Sequence, residues 1–219
     1  MKWKILSNFS KKIFSKINLS LASNTLSKNY LKKLGAKNIK LFGNLKFAQS
    51  EKEIVKIDNN FKNFIFSKKS WCASSTHYGE EKVCGIVHQR LKTKYKNLLT
   101  IVIPRHIDRI DKIKKEFRKM GLKTHIHKPM KNINKDTDIY LVNTYGQTKA
   151  FFNECKNVFL GGSIIKHGGQ NPLEAARFGC NILHGPNISN FSEIYSFLKK
   201  NKISKKFDNI NKMVHILDG

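Results

Sequence analysis

A glycine-rich stretch in the last third of the chain has the residues that a phosphate-binding loop needs. A predicted strand ending at Leu160 runs into Gly161-Gly162-Ser163, and a second glycine pair, Gly168-Gly169, precedes a predicted helix. Glycines let backbone amides approach a phosphate closely, and a helix N-terminus offers free N–H groups and the positive end of its dipole. Asn171 suits the N-cap and Pro172 the first helical position. The pattern favours a ligand that carries a phosphate.

Glu174, in the first turn of that helix, has two interpretations. As a structural residue it would reach back to the N–H of Asn171, as in a capping box. As a ligand-binding residue its carboxylate would accept hydrogen bonds from sugar hydroxyls. Two glycine pairs before the helix favour the ligand, because capping alone needs neither pair. Gly179 is predicted to end this helix.

Two more candidate sites follow predicted strands. Pro104-Arg105-His106 offers a planar guanidinium that suits a phosphate or a carboxylate, with an ordinary surface arginine as the less favoured alternative. Ser74-Ser75-Thr76-His77 offers hydroxyls that bind a ligand or simply cap the next helix. The sequence leaves both alternatives open.

Alternating strands and helices are predicted to position these candidates. The strands are expected at 19–22, 39–42, 71–74, 98–103, 123–127, 138–142 and 158–160. The longer helices are expected at 25–34, 80–95 and 108–120, with some helix in a linker at 49–69, a short helix between each later pair of strands, and two helices at the end. The pattern predicts an α/β fold, a Rossmann-like doubly wound parallel sheet that binds ligands at the carboxyl ends of its strands.

The charge of the chain favours anionic partners. The formal net charge is +27, and only five of the 42 lysines and arginines are arginines. Such a field attracts nucleic acid, anionic lipid or phosphorylated ligands, although an AT-rich coding sequence would also enrich lysine, asparagine and isoleucine. RNA binding would need aromatic side chains beside the lysines, whereas most of the 15 phenylalanines occupy apolar-periodic positions. We therefore expect no specific nucleic-acid partner.

Cysteine usage and hydropathy point to the cytoplasm. The four cysteines form no CxxC pair, the eight histidines are scattered, and we expect buried free thiols and no metal site. No run of 18 apolar residues exists, so no membrane span is predicted. The first 20 residues have apolar side chains at helical spacing with lysines between them. Such a helix either lies on anionic lipid or docks on a core that this chain lacks.

Taken together, the motifs resemble those of bacterial Kdo (3-deoxy-D-manno-oct-2-ulosonic acid) transferases. The resemblance covers nearly the whole chain and follows the family's order and approximate spacing. The matching blocks are Gly43–Phe47, Trp71–His77 with Gly79-Glu80-Glu81, Pro104–His106, Gly161–Ser163, His167–Glu174 and Gly185-Pro186. Gln147, Gln170 and Ala48 stand where the family is expected to have glutamate, histidine and aspartate.

The resemblance implies a GT-B fold, in which two Rossmann-like domains face each other. Residues 1–46 would be the end of the N-terminal acceptor domain, and residues 47–219 the C-terminal domain that binds CMP-Kdo. Lys46 would stabilise the transition state, with no metal or other cofactor. The residues implied to contact CMP are Pro104, Arg105, Tyr145, Gly146, Gln147, Asn171, Pro172, Leu173 and Glu174.

The implied reaction moves Kdo from CMP-Kdo to a lipid A precursor in lipopolysaccharide core biosynthesis. The implied location is the cytoplasmic face of the inner membrane, as a peripheral protein. The family's catalytic base is a glutamate of the acceptor domain that this chain lacks, so a truncated or split gene product is expected, with a separate N-terminal domain as a candidate partner. The alternatives are another GT-B glycosyltransferase that uses a UDP- or GDP-sugar, and a non-catalytic basic domain that binds nucleotides or RNA.

Overall fold

The computed structural model describes residues 7–43, 57, 59–128 and 132–219. The chain divides into two compact units, Met1–Lys52 and Glu53–Gly219. The domain boundary predicted between residues 46 and 47 lies outside the described residues, as does the Gln49–Lys56 part of the predicted linker.

The first unit contains two helix–strand repeats within residues 7–43. Its elements are α1 (Ser7–Phe14), β1 (Ser20–Ala22), α2 (Thr25–Lys33) and β2 (Ile39–Leu41). In this range β1 and β2 pair in parallel. The predicted cap of α2 is confirmed, because the Asn24 side chain accepts a hydrogen bond from the Ser27 N–H at 2.7 Å. Gly35 ends the helix with a φ of +99°, a conformation that glycine adopts without strain.

The second unit is a doubly wound parallel sheet. In the described residues, seven strands lie in the order β5-β6-β4-β3-β7-β8-β9, and every pair is parallel. The strands are β3 (Lys69–Thr76), β4 (Leu98–Pro104), β5 (Thr124–Ile126), β6 (Ile139–Leu141), β7 (Asn157–Leu160), β8 (Asn181–His184) and β9 (Ser204–Lys206). Strands β4, β5 and β6 lie on one side of β3, and the chain then crosses to β7 on the other side. The carboxyl ends of β3 and β7 therefore form the topological switch point, where α/β sheets bind ligands.

Helices cover both faces of this sheet. They are α3 (Asn59–Phe66), α4 (Glu80–Lys92), α5 (Ile110–Lys119), α6 (Thr148–Glu154), α7 (Leu173–Arg177), α8 (Ser192–Lys200) and α9 (Ile210–Asp218). One hydrophobic cluster joins the sheet to α3, α6, α7 and α8, and a second joins it to α4, α5 and α9. Ile101 and Val102, neighbours in β4, belong to different clusters because successive side chains of a strand point to opposite faces.

Three sequence predictions about the second unit were wrong or incomplete. The described residues between β5 and β6 contain a turn, in which the Thr137 N–H bonds the Asn134 carbonyl, and no helix. Strands β8 and β9 were not predicted. Only two apolar residues, Ile182 and Leu183, mark β8, and β9 has the sequence Ser-Lys-Lys. These two strands are held by pairing with their neighbours rather than by a pattern of their own.

The predicted amphipathic first helix is described only from Ser7 onward. Its described part is α1, in which Phe9 and Ile13 are exposed. Across the described residues, no helix combines the length and the apolar character needed to cross a bilayer.

Candidate functional site

The candidate blocks follow the carboxyl ends of neighbouring parallel strands, so they share one edge of the sheet. Hydrogen bonds tie two of them directly to the end of β3. The Arg105 N–H donates to the Thr76 carbonyl at 2.9 Å, and the Gly161 N–H donates to the Ser74 carbonyl at 2.8 Å. The loops after β4 and β7 are therefore anchored on the same central strand.

A buried carboxylate holds the loops after β3 and β7 together. Glu80 is fully buried at the start of α4. Its Oε2 accepts hydrogen bonds from the N–H groups of His77 at 2.9 Å and Gly162 at 2.8 Å. Its Oε1 accepts from Ser163 at 3.1 Å and Ile164 at 3.0 Å. Four backbone donors thus compensate the burial of this charge.

The Glu80 contacts correct the sequence interpretation of the first glycine pair. The amides of Gly162 and Ser163, expected to face a phosphate, donate instead to the Glu80 carboxylate. Gly161 is required by close approach, because a Cβ there would lie 2.3 Å from the Ser75 carbonyl oxygen. The loop is therefore a backbone nest that contains an internal anion.

The neighbouring Glu81 forms a buried ion pair with Arg109. Its two carboxylate oxygens accept hydrogen bonds from the Arg109 guanidinium at 3.0 Å each. The Thr76 hydroxyl also donates to Glu81 at 3.0 Å, so it supports this carboxylate. A bidentate pair of this kind fixes the orientation of both side chains. No role was predicted for Arg109 from the sequence. The available signal was the pair of adjacent glutamates at the start of an amphipathic helix, because a buried glutamate needs a partner such as an arginine.

The second glycine pair packs between two other loops. The Gly169 N–H donates to the Gly162 carbonyl at 2.8 Å, which joins the two glycine pairs. On the other side, the Asn190 N–H donates to the Gly168 carbonyl at 3.0 Å, and the Asn190 side chain donates to the His167 carbonyl at 3.1 Å. Gly168 and Gly169 both have positive φ, which glycine tolerates.

The start of α7 differs from the prediction: Pro172, rather than Asn171, occupies the N-cap position, and the side chain of this N-cap residue makes no capping hydrogen bond. The Asn171 Oδ1 accepts a hydrogen bond from the Leu173 N–H at 3.2 Å, and the helix begins at Leu173 rather than at Pro172. Within the described part of the chain, no hydrogen bond joins the half-buried Glu174 carboxylate to the Asn171 N–H. The side chain of Glu174 is thus available for another partner.

Three histidines from three different loops meet at this edge. The His77 ring centroid lies 4.3 Å from that of His167 and 5.9 Å from that of His106. The Gln170 Nε2 lies 3.3 Å from the His77 Nε2. Burial lowers the pKa of His77 below its usual value, and the neighbouring His167 and His106 lower it further. Sequence reasoning treated the histidines as scattered and missed this cluster.

Curated 3-deoxy-D-manno-octulosonic acid transferases match most of the chain, although no protein-family model matches it. The protein from Haemophilus influenzae is 29% identical over 190 residues, which are 85% of this chain and 44% of that protein. The protein from Rickettsia felis is 30% identical over 222 residues, 97% of this chain and 45% of that protein. This chain is a homologue of the Kdo transferases. It spans less than half the length of these relatives.

A solved structure supports the fold. The crystal structure of the C-terminal CMP-Kdo binding domain of WaaA from Acinetobacter baumannii matches with a TM-score of 0.66 at 24% identity. The match covers 70% of this chain and 80% of that domain. The predicted α/β, Rossmann-like fold is confirmed.

The residues that the resemblance to Kdo transferases assigns to CMP lie on three loops of one sheet edge. Pro104 is the buried last residue of β4, and Arg105 is exposed. Tyr145 is 65% exposed, Gly146 has a φ of +81°, and Gln147 accepts a hydrogen bond from the Thr144 hydroxyl at 2.9 Å before α6. The third group is Asn171–Glu174. Lys46 lies outside the described residues.

The cysteines of this Kdo transferase homologue match the sequence prediction of buried free thiols. All four cysteines are buried, and none forms a disulfide bond with another. Burial raises the pKa of the Cys180 thiol to about 12. Among the residues that the structure describes, no group of three or more His, Cys, Asp or Glu side chains has a metal-binding arrangement.

Proposed function

We propose that this chain is the donor-binding part of a Kdo transferase and binds CMP-Kdo at the carboxyl edge of its parallel sheet. The observation that carries the proposal is the convergence at the switch point. The blocks after β4, β6 and β7, which the family resemblance assigns to CMP, follow strands of one sheet and share one edge. Ligands of doubly wound sheets bind at such an edge.

The chemistry of the side chains suits a nucleoside monophosphate ester. The exposed guanidinium of Arg105 can donate two parallel hydrogen bonds to a phosphate. Asn171 and Glu174 lie at the start of α7, and the Glu174 carboxylate can accept hydrogen bonds from ribose hydroxyls. Tyr145 offers an exposed ring beside the same edge. The net charge of +27 favours a donor that carries a phosphate and a sugar carboxylate.

In the proposed reaction, Kdo passes from CMP-Kdo to a hydroxyl of a lipid A precursor during lipopolysaccharide core biosynthesis. A base removes the proton of the acceptor hydroxyl, its oxygen bonds the anomeric carbon of Kdo, and the bond to the CMP phosphate oxygen breaks. Lys46 would stabilise the charge that develops on CMP, without a metal. An N-terminal acceptor domain would bind the lipid A precursor and supply the base, at the cytoplasmic face of the inner membrane.

Calorimetry with nucleoside monophosphates tests the proposal. We expect CMP to bind this chain more tightly than UMP or AMP at physiological salt. Equal and strongly salt-dependent binding of all three nucleotides would indicate non-specific attraction to the lysines and would contradict the proposal.

Arginine-to-lysine variants sharpen the same experiment. Arg105→Lys should weaken CMP binding by about 1.5–3 kcal/mol, because an ammonium cannot replace a bidentate guanidinium. Arg118→Lys is the matched control, since Arg118 is exposed near the end of α5 and away from the candidate blocks. Equal affinities for the two variants would remove Arg105 from the site.

A further inference from the structure

We propose that His77, His106 and His167 form an anion subsite that takes up a proton when the charged part of the donor binds. The inference rests on the proposed function, because it assigns residues of the same site to the donor's phosphate or carboxylate. Its new content is the identity of these residues and the coupling of binding to protonation.

The placement of the rings supports a shared ligand. His106 directly follows Arg105, and His167 lies four residues before Asn171. The ring of His77 contacts both other rings, so the cluster connects the blocks after β4 and β7. His77 is 9% exposed, whereas His106 and His167 are exposed and accessible to a ligand.

Glu80 and Glu81, which follow His77 closely in the chain, do not form hydrogen bonds or ion pairs with the three rings. Both nearby carboxylates are engaged elsewhere: Glu80 accepts four backbone N–H bonds, and Glu81 accepts from Thr76 and Arg109. In the described residues, no hydrogen bond joins the His77 ring to a carboxylate, and the ring faces the Gln170 amide instead. The rings are therefore free of a carboxylate hydrogen bond within the described residues, and we assign the role of their partner to an external anion.

The charges around His77 give the coupling its direction. Burial and the rings of His167 and His106 lower the pKa of His77, Glu81 opposes them, and Arg109 lowers the pKa as well. The neutral form of His77 is thus favoured relative to a free imidazole, and adjacent imidazoles disfavour a shared positive charge. A bound anion would stabilise one imidazolium in the cluster, so binding should consume a proton and strengthen as the pH falls.

A nucleotide whose own charge is constant tests this coupling. The methyl ester of CMP is a phosphodiester, like the donor, and it remains monoanionic between pH 6 and pH 8. We expect it to bind the full chain about tenfold more tightly at pH 6 than at pH 8, the equivalent of one pKa unit. Calorimetry in two buffers of different ionisation enthalpy should record proton uptake near pH 7. Equal affinity at both pH values would overturn the proposal.

Glutamine variants locate the proton. The double variant His106→Gln/His167→Gln should lose most of the pH dependence, leaving less than about a twofold change, because the two exposed rings are the ones that reach the anion while His77 is buried. Both positions are exposed, so the fold should tolerate the change. His215→Gln, at an exposed histidine of α9, is the control and should keep the full dependence. An unchanged slope in the double variant would overturn the assignment.

The uridine analogue separates this inference from the proposed function. If the methyl esters of CMP and UMP bind equally well, but with a pH dependence that the double variant abolishes, the anion subsite stands and the nucleotide choice fails. Selective binding of the cytidine ester with no pH dependence would overturn the subsite alone.

Discussion

Both compact units of the chain alternate helices and strands, but they bury very different shares of their side chains. Among residues 7–43 only Ser10, Ser20, Ala22 and Ala36 are buried. The second unit has two hydrophobic clusters, one on each face of its sheet. The large apolar side chains exposed in residues 7–43 are Phe9, Ile13, Ile17, Leu19, Leu21, Leu26, Tyr30, Leu41 and Phe42.

The difference shows that a helix–strand repeat buries a core only where further strands and helices pack against it. Parallel strands are normally covered on both faces, and an isolated pair of strands is marginally stable in water. In the second unit, β3 has strands on both sides and helices on both faces. In residues 7–43, β1 and β2 pair only with each other. Stability should therefore depend on the second unit, which three measurements can test.

The largest expected difference comes from a matched pair of phenylalanines. Phe117 in α5 is fully buried, whereas Phe9 in α1 is 54% exposed. Phe117→Ala should lower the free energy of unfolding by about 3–5 kcal/mol, because it removes a core ring and leaves a cavity. Phe9→Ala should change it by less than about 0.5 kcal/mol. Urea unfolding followed by circular dichroism measures both, and similar losses would show that α1 belongs to the same cooperative core.

Acid should destabilise the second unit through a buried histidine. His88 in α4 is fully buried; its Nδ1 lies 2.9 Å from the Thr100 hydroxyl and its Nε2 lies 3.5 Å from Asp138. Burial, and then the charge of Lys92, lower the pKa of His88 to about 3. The unfolded chain therefore binds a proton at His88 more readily than the folded chain does. The stabilising contribution of the neutral ring to the free energy of unfolding is complete above pH 6.5 and is lost as the pH falls toward 3.

Protonation of His88 should lower the free energy of unfolding by about 3 kcal/mol between pH 6.5 and pH 4. Urea unfolding at the two pH values measures it, and His88→Gln should flatten this part of the profile. Residues 1–52 contain no histidine, so the effect belongs to the second unit. A variant with the same acid sensitivity as the parent would rule out His88 as the cause.

Two asparagine caps give the smallest and most closely matched comparison. Asn24 accepts a hydrogen bond from the Ser27 N–H at the start of α2, and Asn209 accepts one from the Lys212 N–H at the start of α9. Asn209→Ala should lower the free energy of unfolding of the second unit by about 1 kcal/mol. Asn24→Ala should leave that transition unchanged, because α2 has no buried residue. Equal losses would contradict the separation of the two units.

The sequence predicted what local patterns encode. The continuous apolar run of β4 and the stop at Gly35 have strong local signals, and both were confirmed. The contacts that organise the site are long-range. Glu80 and Gly162 are 82 positions apart, and the ring cluster joins three loops. No spacing rule in one sequence relates such residues, so the internal use of the Gly162 and Ser163 amides could not be predicted.

The internal carboxylate at Glu80 has a consequence for the thermodynamics of ligand capture. Flexible glycine loops usually lose conformational entropy when a ligand orders them, and that loss weakens binding. Here the amides of Gly162, Ser163 and Ile164 are fixed by a residue of the chain itself. The loop after β7 is thus preorganised by contacts within the chain, and the folding of the domain sets its shape.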